Sequence, residues 1–439
     1  MWKKHQKAPY KSRTNRRIWE KLLKKSPWVW RTGLENLKNS VVVESEKLEE
    51  QMGKRKRRPT WNKGYRGEIM KLLLTVGIIS KRGIPLLSGN HRMYLRKIKE
   101  MEEERIIEKH RNNGNVTENL KDFDKRMDEY LSEYPNGYYG HYNRYCRTNV
   151  DNVTKYGKDK IQFERAVRDS ESAMMAYSSG AKMMVDEKPA LRLEKTVIPK
   201  RVSIYYRTAE VKDASDTGSE NKILAQTRCN GWLTSPGGEY LVYLIGKKLI
   251  RWTKVSETSY AGYVTTVIEK KKEGEKRNVK EGILLAYNDE PYRRMMTPKK
   301  QVSTNLNAEN GHPVMYGLTY DEYGKDMLWL MQRKNWKERM KKEYLSGMKV
   351  NTRTSVVDCD ALDGDVKVLL YCIPDLVKLK RFIAASTWEN DVTKYHIYCF
   401  DFQEKFVVDV AGDYCEVYTT PFEEYISTIK RESAADYGK

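Results

Sequence analysis

The sequence predicts an α+β protein: a basic arm, a small helical module closed by a β-hairpin, a helical connector and a C-terminal mixed α/β domain. Three observations predict it. Charge is concentrated at the front, since residues 1–60 hold 18 Lys and Arg against 6 Asp and Glu, +12 of the chain's net +22. Helical apolar spacing followed by an Asn-Gly turn runs through residues 62–116. From about residue 200 the composition shifts to alternating β-branched and aromatic runs.

Bulk properties narrow the class. A chain of 439 residues has room for more than one domain, and 39% hydrophobic content supports a buried core. Residues 351–439 are acidic, with 10 Lys and Arg against 16 Asp and Glu. Such asymmetry points to a polyanionic partner at the basic end. The longest apolar run, "IMKLLLTVGII" at 69–79, contains Lys71 and is too short to span a bilayer, so no membrane partner is expected. The N-terminus lacks an apolar signal core, and the six cysteines contain no CxxC. Both features fit reduced thiols and a cytoplasmic location.

Residues 1–60 alternate basic clusters with tryptophans, a pattern expected of an arm. Its densest run, "GKRKRRPTW", places Lys54, Arg55, Lys56, Arg57 and Arg58 beside a proline, suited to phosphates or a narrow minor groove. Residues 61–118 then order themselves as helix, short helix, helix and hairpin. In the first helix Ile69, Leu72, Leu73 and Val76 share a face that ends at Gly77. Asn90 caps the third helix, which turns Leu95, Ile98 and Met101 inward. "RIIEKH" and "NVTEN" flank Asn112-Asn113-Gly114, a hairpin signal. This order is that of a winged helix-turn-helix, whose third helix enters the major groove by its N-terminal end.

The third helix carries His91, Arg92, Arg96, Lys97 and Lys99 ahead of Glu100, Glu102, Glu103 and Glu104. A helix dipole favours the reverse order, so something else must reward this one. Arg92 and Arg96 suit guanine edges, Asn90 suits adenine, and Lys97 and Lys99 suit phosphates. His91 and, beside the hairpin turn, Arg111 complete the DNA-facing set. Equally, charges on a helix are often just a solvated face.

Residues 119–200 read as a helical connector with a Tyr-rich knot at 134–147. In 201–430, strands are expected at "RVSIYYR", "YLVYLIG", "YVTTVIEK", "GILLAYND", "TSVVDCDA", "KVLLYCIPD", "KYHIYCFDF" and "KFVVDVAG". Helices are expected at "TYDEYGKDMLWLMQRKNWKERMKKEYLSG" and "DLVKLKRFIAAS", and 431–439 forms a tail. No internal repeat is evident.

Candidate catalytic groups are sparse. The histidines at 5, 91, 110, 141, 312 and 396 are too dispersed for a metal pair. Asp363, Asp365, Lys367 and Asp375 have the residue types of a metal-dependent nuclease in the wrong order. No metal, cofactor or catalytic residue is assigned, and the chain is not expected to be an enzyme.

Two stretches resemble the replication-relaxation family of Gram-positive conjugative and integrative elements. One is "EIMKLLLTVGIISKRGIPLLSGNHRMYLRKIKEMEEERII"; the other is "NGWLTSPGGEYLVYLIGKKLIRW", with Gly231, Leu233, Tyr240, Val242, Tyr243, Gly246, Leu249 and Trp252 in similar places. "VKEGILLAYND" is similar to the following strand. The resemblance implies a mobile-element protein that binds double-stranded DNA, sequence- or structure-specifically, in replication, transfer or transcriptional control. It leaves room for a degenerate nuclease-like fold in the α/β domain, for other mobile-element proteins as partners and for a homodimer. Metal-dependent nicking by the C-terminal acids is the alternative, and a scaffold without DNA a second one.

Overall fold

The computed structural model describes residues 64–118, 160–214, 226–246, 254–296, 312–350 and 357–437, apart from 105, 110–115, 185–186, 192–195, 273–278 and 390. The expected basic arm, the Tyr-rich knot and Arg111 lie outside the described residues. All described residues belong to one unit, Trp61–Lys439. The described fold is mixed α+β, with two mixed five-stranded sheets.

The first module begins with α1 (Gly64–Val76), which buries Ile69, Leu72, Leu73 and Val76 as the helical spacing requires. Gly77, at φ 76°, closes α1 by returning its N–H to the Leu73 carbonyl at 2.7 Å. β1 (Ile78–Ile79), a 3₁₀ turn (Ile84–Leu86), α2 (His91–Glu103), β2 (Ile107–Lys109) and β3 (Val116–Glu118) follow. The three strands pair antiparallel in the order β1-β3-β2, so the hairpin folds back onto the short strand after α1.

α3 (Lys160–Ser178) lies within the expected helical connector and packs into the core. Ala173, Met174, Met175 and Ala176 are fully buried. One hydrophobic cluster runs from Ile69 in α1 through these residues to Leu233, Tyr316 and Tyr425, across the boundaries expected at 118 and 200. Hydrogen bonds reinforce the joint. Ser170 donates to the Ile78 carbonyl, Ser80 donates to Glu171, and Arg207 donates to the Thr75 carbonyl.

The remainder builds the same arrangement twice. β4 (Ile204–Arg207), β5 (Gly231–Ser235) and β6 (Gly238–Ile245) pair antiparallel, after which β7 (Glu281–Ala286) and β8 (Val314–Thr319) join parallel. α4 (Thr208–Asp213) separates β4 from β5; α5 (Lys254–Lys271) and α6 (Glu290–Met296) make the parallel crossovers, and α7 (Glu322–Met331) follows β8. After α8 (Trp336–Tyr344), β9 (Lys349–Val350), β10 (Ala361–Asp363) and β11 (Val366–Leu370) again pair antiparallel. β12 (Tyr395–Phe400) and β13 (Glu416–Thr420) again add parallel. Here α9 (Leu376–Glu389) and α10 (Glu404–Ala411) cross over, and α11 (Phe422–Tyr437) follows.

The correspondence extends to single hydrogen bonds. Asn230 precedes β5, donates its N–H to Val242 at 2.8 Å and accepts from Leu244 N–H at 2.6 Å through Oδ1. Asp360 precedes β10, donates its N–H to Val368 at 2.8 Å and accepts from Leu370 N–H at 3.0 Å through Oδ2. Each follows a buried cysteine, Cys229 or Cys359. Equivalent positions of the two copies also touch. Tyr292 and Phe406, each third in its crossover helix, lie 6.1 Å apart between ring centroids, with Arg293 and Asp409 paired beside them at 2.6 Å. The absence of a repeat expected from sequence is thus corrected at the level of topology.

Two expected strands are helices. "YVTTVIEK" lies in α5, where Tyr260, Val264 and Val267 recur at helical spacing and are buried. "KFVVDVAG" lies in α10, where Phe406, Val407 and Ala411 are buried while Val408 is exposed. Both join parallel neighbours, and such a connection needs a crossover that no tight turn supplies. β-branched composition loses to topology here. The single long helix expected from 319 is two helices, broken around Asn335, which takes φ 56°.

Candidate nucleic-acid interface

α2 is a 13-residue helix held from beneath. Tyr94, Ile98 and Met101, at i, i+4 and i+7, are its buried side chains. Leu95, expected inward, is instead 45% exposed and Tyr94 takes its place. The reason is polar as much as apolar. The Tyr94 hydroxyl reaches the Glu68 carboxylate at 2.5 Å and the Ser88 carbonyl at 2.8 Å, anchors that leucine lacks. Burial, followed by the hydrogen bond to Glu68, raises the Tyr94 pKa far above its ordinary value, so the phenol stays a donor. Glu68 also accepts from Tyr177 on α3 at 2.9 Å, and Tyr65 packs edge-on to Tyr94 at 4.7 Å.

The opposite face carries the charge. Arg92, Arg96 and Lys99, again at i, i+4 and i+7, are exposed, and so are Asn90 and His91 at the tip. Lys97 lies to one side and is half-buried. Asn90 is the N-cap: its Oδ1 accepts from Arg92 N–H at 3.0 Å, while its own N–H donates to the Tyr65 hydroxyl at 3.0 Å. The cap bond competes with a bidentate adenine contact, which needs the amide oxygen as well as the nitrogen. Asn90 therefore fits better as the residue that aims the helix than as a reader.

The inverted charge order finds part of its reward inside the helix. Arg96 meets Glu100 at 3.0 Å, Lys97 meets the same carboxylate at 2.6 Å, and Lys99 stands 3.8 Å from Glu103. These pairs span three or four residues, the distance at which side chains on a helix meet. Lys97 first, and Arg96 after it, hold the Glu100 carboxyl below its ordinary range. At the far end Glu104 is drawn to Arg66 of α1, which fixes the two helices against each other. Arg92 and His91 remain at the leading end.

A neighbouring turn adds basic groups that sequence reading did not nominate. Lys81 and Arg82 follow β1 and are exposed. The Arg82 guanidinium lies 4.1 Å from the ring centre of Tyr287, at the end of β7. Their signal was present, as Lys-Arg-Gly ahead of the 3₁₀ turn, but only the fold places them beside the module. Lys54, Arg55, Lys56, Arg57 and Arg58 lie outside the described residues, as Arg111 does.

The acids nominated for nuclease chemistry do not converge. Asp363 and Asp365 sit exposed at the β10–β11 hairpin tip, while Asp375 caps α9 beyond the other end of β11. Lys367 is engaged by Glu389 at 2.6 Å and by the Tyr395 hydroxyl at 3.1 Å. Among the described residues no group of three or more His, Cys, Asp or Glu is placed to hold a metal ion. Among them, too, no helix is long and apolar enough to cross a membrane.

Comparison of the chain with family models, with curated proteins and with solved structures found no match.

Proposed function

We propose that this chain binds double-stranded DNA through residues 64–118, a winged helix-turn-helix in which α2 is the reading helix and β2–β3 the wing. The observation that carries the reading is the division of α2 into a face locked by Tyr94, Ile98 and Met101 and an exposed face bearing Arg92, Arg96 and Lys99. The element order and the β1-β3-β2 pairing support it, as does a net charge of +22. In this arrangement the N-terminal end of α2 enters the major groove. Arg92 and Arg96 face base edges, Lys99 faces a phosphate, and Glu100 releases Arg96 as the polyanion takes over. The resemblance of the sequence to replication-relaxation proteins favours a setting in the replication, transfer or control of a mobile element.

The test is duplex binding by Arg92→Glu/Arg96→Glu, followed by fluorescence anisotropy. Both side chains are on the outer face, so the variant should melt like the parent. Its affinity for duplex DNA should fall by about 100-fold or more, since each arginine–guanine contact contributes ~1–3 kcal/mol. An affinity equal to the parent's would remove α2 as the reader.

A further inference from the structure

One carboxylate links α2 to the body. Glu68, half-buried on α1, accepts from the Tyr94 hydroxyl of α2 through Oε2 at 2.5 Å and from the Tyr177 hydroxyl of α3 through Oε1 at 2.9 Å. Two phenols from two different helices thus hold it, one on each oxygen. α3 also grips β1 and the turn after it, where Ser170 donates to the Ile78 carbonyl and Ser80 donates to Glu171. The module therefore meets α3 at two polar points, one at β1 and one reached through the buried face of α2.

The apolar packing around these points is rich in methionine. Met70 of α1, Met101 of α2 and Met174 of α3 belong to one buried cluster, and a Cβ on Gly83 would fall 2.5 Å from the Met174 sulfur. Unbranched methionine adapts to many shapes, so such a surface drives docking without fixing an angle. A hydrogen bond of set length and direction does fix one. The angle matters on α2. A roll of ~20° carries a side-chain end at ~5–6 Å from the helix axis through ~2 Å, enough to lose a bidentate base contact.

We infer that Tyr177 is a positioning residue for DNA recognition: through Glu68 it fixes the roll of α2, and with it the direction of Arg92 and Arg96. The inference rests on α2 as the reading helix. Tyr177 stands on α3 and carries no charge, so it acts only through its partner. The Tyr94 hydroxyl has one proton and two acceptors, Glu68 and the Ser88 carbonyl at 2.8 Å. Tyr177 biases the choice by holding the carboxylate in reach. Without the Tyr177 hydroxyl, Glu68 is free to swing on its side chain, and the Tyr94 proton passes to the Ser88 carbonyl. α2 then has two settings where it had one.

Tyr177→Phe in the full chain tests this, since it keeps the ring and removes only the hydroxyl. Duplex affinity per folded molecule should fall about 3- to 10-fold, the range in which residues remote from a ligand alter its site. The logarithmic salt slope should equal the parent's, because no phosphate contact is lost. In a Glu68→Met chain, adding Tyr177→Phe should leave affinity where it was, since the link is already gone. Tyr292→Phe removes a buried phenol bond in the other hydrophobic cluster; it should lower the melting temperature at least as much and leave affinity unchanged. Hydrogen exchange without DNA gives a second readout. Amides of α2 should exchange faster in Tyr177→Phe than in the parent, while those of β6 and β7 keep their rates. Unchanged α2 exchange overturns the inference. So does parental affinity in Tyr177→Phe, or a loss that persists in the Glu68→Met background. A parent that binds no duplex would instead remove α2 as the reader, and the exchange rates would still decide whether Tyr177 sets α2.

Discussion

The module of residues 64–118 and the doubled sheets behind it place their charges in opposite ways. On α2 the pairs lie outside, bridge one helical turn and share Glu100 between two bases. In the first sheet they lie inside. Lys272 and Glu239 meet at 2.6 Å with both side chains almost wholly buried, and Trp232 Nε1–H adds a bond at 2.9 Å. Lys188 and Glu210 meet at 2.7 Å under similar cover. Glu257 gathers Thr227 at 2.7 Å, Arg228 N–H at 2.8 Å and the Tyr243 hydroxyl at 2.9 Å. Exposed pairs contribute little and can be exchanged for a phosphate. Buried pairs cannot be exchanged at all; they hold the strands in place and are costly to break. The contrast separates the surface proposed to bind DNA from the body that carries it.

The largest effect should come from the body. Lys272→Met leaves Glu239 buried without its partner and should cost about 3–5 kcal/mol in urea unfolding. Lys272→Met/Glu239→Leu should recover only part of that loss, because Trp232 Nε1–H and the Thr234 hydroxyl lose their acceptor, and duplex affinity per folded molecule should not change in either.

Acid titration gives the next effect. Burial drives the His312 pKa down to about 4 from an ordinary 6.5, so His312 folds neutral; its contribution is complete above 6.5 and is lost as pH falls towards 4. Burial drives Asp375 up to about 6 from 3.8. Its charged form is disfavoured in the fold, so the stability it costs at neutral pH returns as pH falls from 6 to 3.8. Each group shifts stability by ~3 kcal/mol, in opposite senses over nearly the same window. Asp375→Asn should therefore steepen the loss of stability between pH 6.5 and 4, and His312→Gln should reverse or flatten it.

The duplicated position before β5 and β10 comes third. Asn230 donates its Nδ2–H to Asp169, a carboxyl whose burial already raises its pKa. Asn230→Asp would set two carboxylates together and should cost ~2–3 kcal/mol in chemical denaturation. Asp360 faces Lys378 at 2.6 Å and Lys341 at 3.2 Å, so Asp360→Asn weakens attraction without adding repulsion and should cost only ~1 kcal/mol. Equal costs would mean that the two copies use this position alike.

The smallest effect belongs to the module and has the opposite sign. Glu100→Gln frees Arg96 and Lys97. It should change stability by no more than about 0.5 kcal/mol, while duplex affinity rises about 3-fold. A loss of affinity would mean that Glu100 orients the bases instead of competing with the phosphates.

The module was legible because its signals are local. Asn90 before an apolar period, Gly77 after one and Asn113-Gly114 between short runs each act within a few residues. Tyr94 was missed there, since its partner Glu68 is 26 positions away, and so were Lys81 and Arg82, which only the fold brings beside the module. The doubled body was less legible. Glu239 and Lys272 are 33 positions apart, and nothing in either segment announces the other. α10 and the second half of α5 have strand composition and become helices because parallel neighbours demand crossovers. The repeat escaped because it lies in the backbone. Around the shared cap the two copies keep Cys229-Asn230-Gly231 and Cys359-Asp360-Ala361, then diverge in hairpin length and in almost every side chain. The nuclease nominees were close in sequence but separate in space, because β11 carries Asp365 and Asp375 away from each other.

The central claim, that the outer face of α2 meets the DNA backbone and base edges, is tested most directly by titrating a labelled duplex at several salt concentrations. The parent is compared with Arg92→Ala/Arg96→Ala/Lys99→Ala. The account predicts steep salt dependence for the parent. For the variant it predicts weaker binding, with a logarithmic slope shallower by about 0.9 for each phosphate that is no longer neutralised. A variant that reproduces the parent's affinity and slope would contradict it.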